Sequence, residues 1–233
     1  MKTDKKKTLH FIEKLLDSKP ENNAAMPNIM ASSVNNWNAA KGDYELRVHS
    51  FNLSKGDVVF DVGAYQADWS KRMLQSYPGI ELIAFEPVEK YCDDFVANIG
   101  DMPYTLHKIG LSDHRGELFI DETGLSTSLG SDGDTKIIVE DIREYVVQFD
   151  NINVLKLNIE GSEYPCLRAL IDAGLISRID NIIVQFHPVN DSVDESYSAW
   201  GSLAKMLAQT HDIEFSYPFI WEKWTLRTLK LFS

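Results

Sequence analysis

Cysteine is almost absent: 233 residues contain only Cys92 and Cys166. Two thiols cannot build a disulfide framework, and their spacing is not that of metal ligands, so both are read as reduced, buried small hydrophobes of a cytosolic protein. Positive charge is also scarce, with 23 Lys and Arg against 35 Asp and Glu and a formal net charge of −12. Such a chain repels a polyanion, so nucleic acid is not an expected partner. No apolar run approaches the roughly 18 residues of a membrane span, and no membrane segment is expected. The basic cluster Lys5 to Lys7 is followed by apolar positions broken by Glu13, Lys14 and Asp17, which leaves no secretory h-region. The three-glycine spacing G-x-G-x-x-G is missing, which argues against a nicotinamide-dependent oxidoreductase.

What is present is an ordinary globular composition, 44% apolar and 25% charged. At about 150 residues per domain the length corresponds to one core with appendages. Leu9, Phe11, Ile12, Leu15 and Leu16 recur at helical spacing until Pro20. From Glu21 to Asn36 the composition turns to Asn, Ala, Ser and Pro and reads as a loop or lid, so residues 1–50 are taken as an appendage to a domain over 51–233. From Lys55 onward, short apolar runs (58–62, 80–85, 104–109, 153–159, 181–186) alternate with helical stretches (68–77, 88–99, 162–173, 197–209). That alternation is the pattern of a parallel sheet with right-handed crossovers. Gly116 to Ile120 and the Gly- and Ser-rich Thr123 to Gly133 read as a hairpin or insertion. Ile213 to Phe219 and Thr225 to Phe232 read as an antiparallel pair at one side of the sheet. The late aromatics Trp200, Trp221, Trp224, Tyr217 and Phe219 either close the core or face an acceptor.

Ligands of such sheets bind beyond the carboxyl ends of the strands. Four of these ends carry unusual residues. The first strand ends at Asp61, and Gly63 and Ala64 follow as a tight turn whose backbone N–H groups approach a ligand. Glu86 stands at the tip of the second strand, where a carboxylate accepts from a ribose hydroxyl pair or faces a helix dipole. Together these two segments point to an adenosyl ligand. Ser112 and Asp113, after the third, either meet an adenine edge or close a turn on their own backbone. In the fourth, alternation sets Lys156, Asn158 and Glu160 on one face, and three converging polar groups are costly unless paired or used. His187 follows the fifth apolar strand and supplies an imidazole near neutral pKa. No spacing compels a metal, although Asn158, Glu160, Glu163 and His187 offer hard oxygen ligands or an imidazole.

The segments Asp61 to Ser70, Phe85-Glu86-Pro87, Leu111-Ser112-Asp113 with Gly116, and above all Lys156 to Glu163 resemble the FkbM family of S-adenosylmethionine-dependent methyltransferases, over roughly residues 50–225. The family pattern K-I-D-V-E-G-A-E is matched at Lys156, Glu160, Gly161 and Glu163, with Asn158 in place of Asp. In D-V-G-A-N-x-G, Asp61 to Ala64 match, while Tyr65 replaces Asn over the cofactor and Ala67 replaces the last Gly.

The resemblance implies an α/β class I methyltransferase, Rossmann-like fold: a mostly parallel seven-stranded sheet with an antiparallel C-terminal strand and helices on both faces. It implies S-adenosyl-L-methionine held by Asp61, Gly63, Ala64, Tyr65, Glu86, Ser112 and Asp113. By analogy it implies methylation of a hydroxyl group of a small-molecule, sugar, glycan or secondary-metabolite acceptor. Lys156, Asn158, Glu160 and His187 are the candidate catalytic group, with His187 favoured over Glu160 as base. Two alternatives stand beside this: a module that binds S-adenosylmethionine or a nucleotide without turnover, and a methyltransferase of a non-sugar small molecule.

Overall fold

A computed structural model describes residues 5–19, 26–121, 128–129, 135–190 and 192–227. The chain opens with helices α1 (Lys5–Asp17) and α2 (Met26–Ala39) and the single turn α3 (Gly42–Glu45). The alternating region follows as β1 (Val58–Val62), α4 (Asp68–Ser76), β2 (Glu81–Phe85), α5 (Glu89–Ile99) and β3 (Thr105–His107). Next come β4 (Gly110–Ser112), β5 (Gly116–Asp121), β6 (Ser128–Leu129), β7 (Thr135–Asp141) and α6 (Ile142–Val146). The remainder is β8 (Val154–Leu157), α7 (Glu163–Asp172), β9 (Asn181–Val184), α8 (Val193–Leu207), β10 (His211–Tyr217) and β11 (Trp221–Leu226).

The main sheet has seven strands in the order β10-β11-β9-β8-β1-β2-β3. β1, β2, β3, β8 and β9 pair in parallel, whereas β11 runs antiparallel to both β9 and β10. This is the expected mostly parallel sheet with an antiparallel C-terminal strand. The reason for the reversal is local: only Pro218 to Ile220 separate β10 from β11, too few residues for a crossover. β1 and β8 are buried on both faces, so they read as continuous apolar runs. Phe60 and Val62 enter the core on one side of the sheet and Val59 the core on the other. Each fully buried side chain of this size contributes about 1.5–3 kcal/mol.

Three features differ from the sequence expectation. The segment read as a loop or lid from Glu21 to Asn36 is largely helical. Met26, Ser33 and Trp37 of α2 are buried and Met30 packs beside them, a one-sided stripe hidden by the Asn- and Ser-rich composition. Through Ile12, Met26, Trp37 and Val48, the N-terminal residues contribute to the cores on both sides of the sheet. The second feature is a separate four-stranded sheet, β4-β7-β5-β6, which contains the expected hairpin as β5 against β7 and adds β4 parallel to β7. The third is the last strand, expected over Thr225 to Phe232 and found as β11 over Trp221–Leu226; most of Thr123 to Gly133, and residues 228–232 of the expected run, lie outside the described residues. Trp200, Trp221, Trp224 and Phe219 are buried and close the core. Cys92 and Cys166 are free and buried. Among the described residues no helix is long and apolar enough to cross a membrane.

Candidate active site

A cavity of about 220 Å³ opens at the carboxyl ends of β1, β2 and β8. Its floor is Gly63, Tyr65, Glu86, Asn158 and Glu160, together with Ile159 and Ser162. Its opposite wall is apolar and comes from the second sheet: Leu118 and Ile120 of β5, Ile137 and Val139 of β7. Strand alternation turns these four inward and leaves Phe119 and Ile138 exposed on the outer face. This wall and Tyr91 were not among the residues singled out in the sequence. The alternating Leu118 and Ile120 of β5 were the available signal.

The turn after β1 is pulled tightly onto its neighbours. A Cβ on Gly63 would lie 2.0 Å from the carbonyl oxygen of Asn158, and the φ of Gly63 is +77°, so only glycine fits. The amides of this turn are already engaged, contrary to the expectation that they point to a ligand. The N–H groups of Gly63 and Ala64 donate to Phe85 O, both at 3.0 Å, and that of Tyr65 donates to Glu86 Oε2 at 2.8 Å. The parallel ladder between β1 and β2 simply continues into the turn.

Glu86 is 5% exposed, and its second oxygen accepts from Val88 N–H at 3.0 Å. Burial raises its pKa, and the two amide hydrogen bonds oppose that rise. One hydrogen bond on each oxygen leaves about two of the roughly four acceptor positions of the carboxylate for a ligand.

Asp61 and Lys156 lie under this turn rather than in the cavity. Lys156 Nζ donates to Asp61 Oδ1 at 2.8 Å and to Gly63 O at 2.6 Å, and Asp61 Oδ2 accepts from Ser70 Oγ at 2.6 Å. Burial lowers the Lys156 pKa while Asp61 holds it up. The pair ties β1 to β8 and fixes the glycine turn from below. Ser112 and Asp113 also lie off the cavity, whose nearest lining there is Gly110 and Leu111. Ser112 Oγ donates to Asp113, and Asp113 pairs with His114 at 2.7 Å, which lowers its pKa.

β8 ends at Leu157, so Asn158 to Gly161 form a turn, with Glu160 in left-handed backbone at φ +52°. Glu163, 0% exposed at the start of α7, holds that turn: its carboxylate accepts from Ile159 N–H at 2.7 Å and Gly161 N–H at 2.9 Å. His187 stands between the two acids, with Nδ1 2.8 Å from Glu163 Oε1 and Nε2 3.4 Å from Glu160 Oε2. Burial pulls the imidazole pKa down, but the two carboxylates outweigh it and raise it to about 10. His187 is therefore an imidazolium at neutral pH, not the near-neutral base the sequence suggests. Asn158 Oδ1 is buried without a hydrogen-bond partner on the cavity wall. Such an orphan acceptor costs about 1–3 kcal/mol unless a ligand satisfies it.

A family model described as the methyltransferase FkbM domain matches residues 61–214. Comparison with curated proteins gives no match. Among solved structures, the chain is similar to the methyltransferase FkbM from Methylobacillus flagellatus KT, at 12% identity and a TM-score of 0.54. That likeness covers 94% of this chain and 59% of the other, so this chain spans less than two thirds of the Methylobacillus protein. It is also similar to a proposed rRNA methylase from Clostridium thermocellum, at 12% identity and a TM-score of 0.52, covering 82% of this chain and 96% of that one. At these identities both likenesses concern the fold.

Proposed function

The chain belongs to the methyltransferase FkbM domain family, and from that premise we propose that it is an S-adenosylmethionine-dependent O-methyltransferase acting on a hydroxyl group of a sugar, glycan or secondary metabolite. The observation that carries this reading is the cavity at the strand tips, with a half-used buried carboxylate at one side and the orphan Asn158 Oδ1 at the other.

The residues present fit the donor. Glu86 retains acceptor positions for ribose hydroxyls, Asn158 Oδ1 needs an ammonium or hydroxyl donor, and the wall of Leu118, Ile120, Ile137 and Val139 suits a purine face. When bound, S-adenosylmethionine supplies an electrophilic methyl group on a sulfonium. The protein's part is then largely positional, since correct alignment alone is worth about 7–11 kcal/mol of the barrier.

A hydroxyl nucleophile must also lose its proton. Because His187 already carries one, Glu160 is the better acceptor: it lines the cavity and is fixed by the strained turn that Glu163 holds. His187 positions Glu160 and balances its charge. General-base help of this kind is worth about 10²- to 10⁴-fold.

The test is labelled methyl transfer to a panel of glycans and small hydroxylated metabolites, alongside calorimetry with S-adenosylhomocysteine. Glu160→Gln is expected to lower turnover at least tenfold with product affinity retained, and undiminished turnover would refute Glu160 as base. Binding without transfer to any acceptor would favour the rival reading, a non-catalytic binding module.

A further inference from the structure

Tyr65 carries a side chain that its backbone role does not require. Its amide donates to Glu86, which a glycine or asparagine would do equally well, and its φ of +49° is a strained conformation for a bulky residue. The ring packs against Tyr91, with centroids 4.4 Å apart and planes at 59°, yet Tyr65 remains 42% exposed while lining the cavity. Glu160 is the other non-glycine residue of the described cavity lining with positive φ. The two loops leave the sheet side by side, because Val62 of β1 is paired with Leu157 of β8, and they approach closely where Gly63 meets Asn158. The cavity lining thus holds a partly exposed aromatic ring packed on a second ring, a carboxylate, and a buried amide oxygen without a partner. A pyranose needs that combination, since its C–H face packs on an aromatic ring and its hydroxyls donate to oxygen acceptors.

We propose that Tyr65 is a specificity-determining residue that forms the acceptor platform: an uncharged sugar ring stacks on it while its hydroxyl groups reach Glu160. The inference rests on the acceptor class proposed above and adds the residue that selects within it. Among the described residues, the cavity lining carries two carboxylates, Glu86 and Glu160, and no cationic side chain, so an anionic sugar is disfavoured.

Saturation-transfer NMR in the presence of saturating S-adenosylhomocysteine tests this, with methyl glycosides of glucose, mannose and rhamnose as neutral probes and methyl glucuronoside as the anionic one. At least one neutral glycoside is expected to show ring-proton contact, with the glucuronoside weaker. Tyr65→Asn, which tolerates the left-handed backbone, should weaken that binding roughly tenfold, and Tyr65→Phe should keep it. Calorimetry with S-adenosylhomocysteine reads the donor side of the same variants, and the platform requires that Tyr65→Asn lower glycoside affinity by a larger factor than S-adenosylhomocysteine affinity. Silence from all neutral glycosides while S-adenosylhomocysteine binds would overturn the platform alone. So would a Tyr65→Asn variant that loses S-adenosylhomocysteine but keeps its glycoside. Failure of the parent protein to bind S-adenosylhomocysteine would instead overturn the methyltransferase reading, and the platform with it.

Discussion

Glu222 is a buried acid, 2% exposed, whose hydrogen-bond donors are all neutral. Its oxygens accept from Trp200 Nε1 at 2.9 Å, Trp224 Nε1 at 3.1 Å and Ser216 Oγ at 2.6 Å. Burial raises its pKa from 4.5 to about 7 against the pull of those hydrogen bonds. The unfolded chain releases this proton near its ordinary value and the folded chain only near 7, so between the two the native state holds the extra proton. Stability from this group is therefore greatest in acid and is lost as pH rises through 7. At about 1.36 kcal/mol per pH unit the full loss is roughly 3 kcal/mol, of which roughly 2.5 kcal/mol falls between pH 5 and pH 8. Urea denaturation followed by tryptophan fluorescence, at constant ionic strength and several pH values, measures it directly, and Trp200 and Trp224 report from the site itself. Glu222→Gln sets an amide nitrogen against an indole N–H, so its stability at pH 5 falls below the parent's. The diagnostic quantity is the slope, which the substitution should flatten by roughly 2.5 kcal/mol over that interval. His187, raised to about 10, and His211, lowered to about 4 by burial, contribute their own slopes in both proteins and cancel in the comparison. Parallel curves for parent and variant would refute the argument that Glu222 is desolvated without a compensating charge.

Other perturbations separate the roles within the site. Glu86→Gln turns one acceptor oxygen into a donor facing the Tyr65 or Val88 amide, and calorimetry should find S-adenosylhomocysteine at least tenfold weaker; unchanged affinity would remove Glu86 from the donor site. Glu163→Gln should loosen the turn that carries Glu160 and lower turnover with little change in product affinity. The same change should bring the His187 titration, followed by NMR, down from about 10, and an unmoved titration would show that Glu163 does not charge it. Lys156→Met leaves Asp61 in the interior with Ser70 as its remaining hydrogen-bond donor among the described residues and should destabilise the protein by about 3–5 kcal/mol in urea titration, most of it restored in the double variant with Asp61→Asn. A double variant no more stable than the single one would show that the pair is not what Lys156 contributes.

The sheet was readable wherever local pattern and tertiary environment agree. β1, β2, β8 and β9 are short apolar runs because both their faces are covered, and the antiparallel C-terminal pair is legible as a pair, although its second strand lies at Trp221–Leu226 rather than at 225–232. Helix α2 escaped because its Asn- and Ser-rich stretch has weak helical propensity, and the burial of Met26 and Trp37 against distant elements decides its state. The second sheet escaped for a related reason. β4 pairs with β7 across two intervening strands, β5 and β6, and nothing local to Gly110-Leu111-Ser112 marks that partner.

The same division runs through the site. The identities of Glu86, Asn158, Glu160 and His187 follow from position at strand ends, which the sequence displays. Their chemical states follow from partners that the fold alone assembles. His187 looks like a near-neutral imidazole until Glu163 arrives from α7 and Glu160 from the turn before it, and two carboxylates beside one imidazole favour its protonated form. Lys156 looks like a catalytic cation until Asp61, on the neighbouring strand, draws it beneath the glycine turn. In both cases the decisive interaction joins adjacent parallel-strand ends, 95 residues apart in the Lys156–Asp61 pair and 24 in the His187–Glu163 pair. Strand-tip position therefore identifies which side chains gather at such a site, while the proton each one holds depends on which tips are neighbours, and that is a property of strand order.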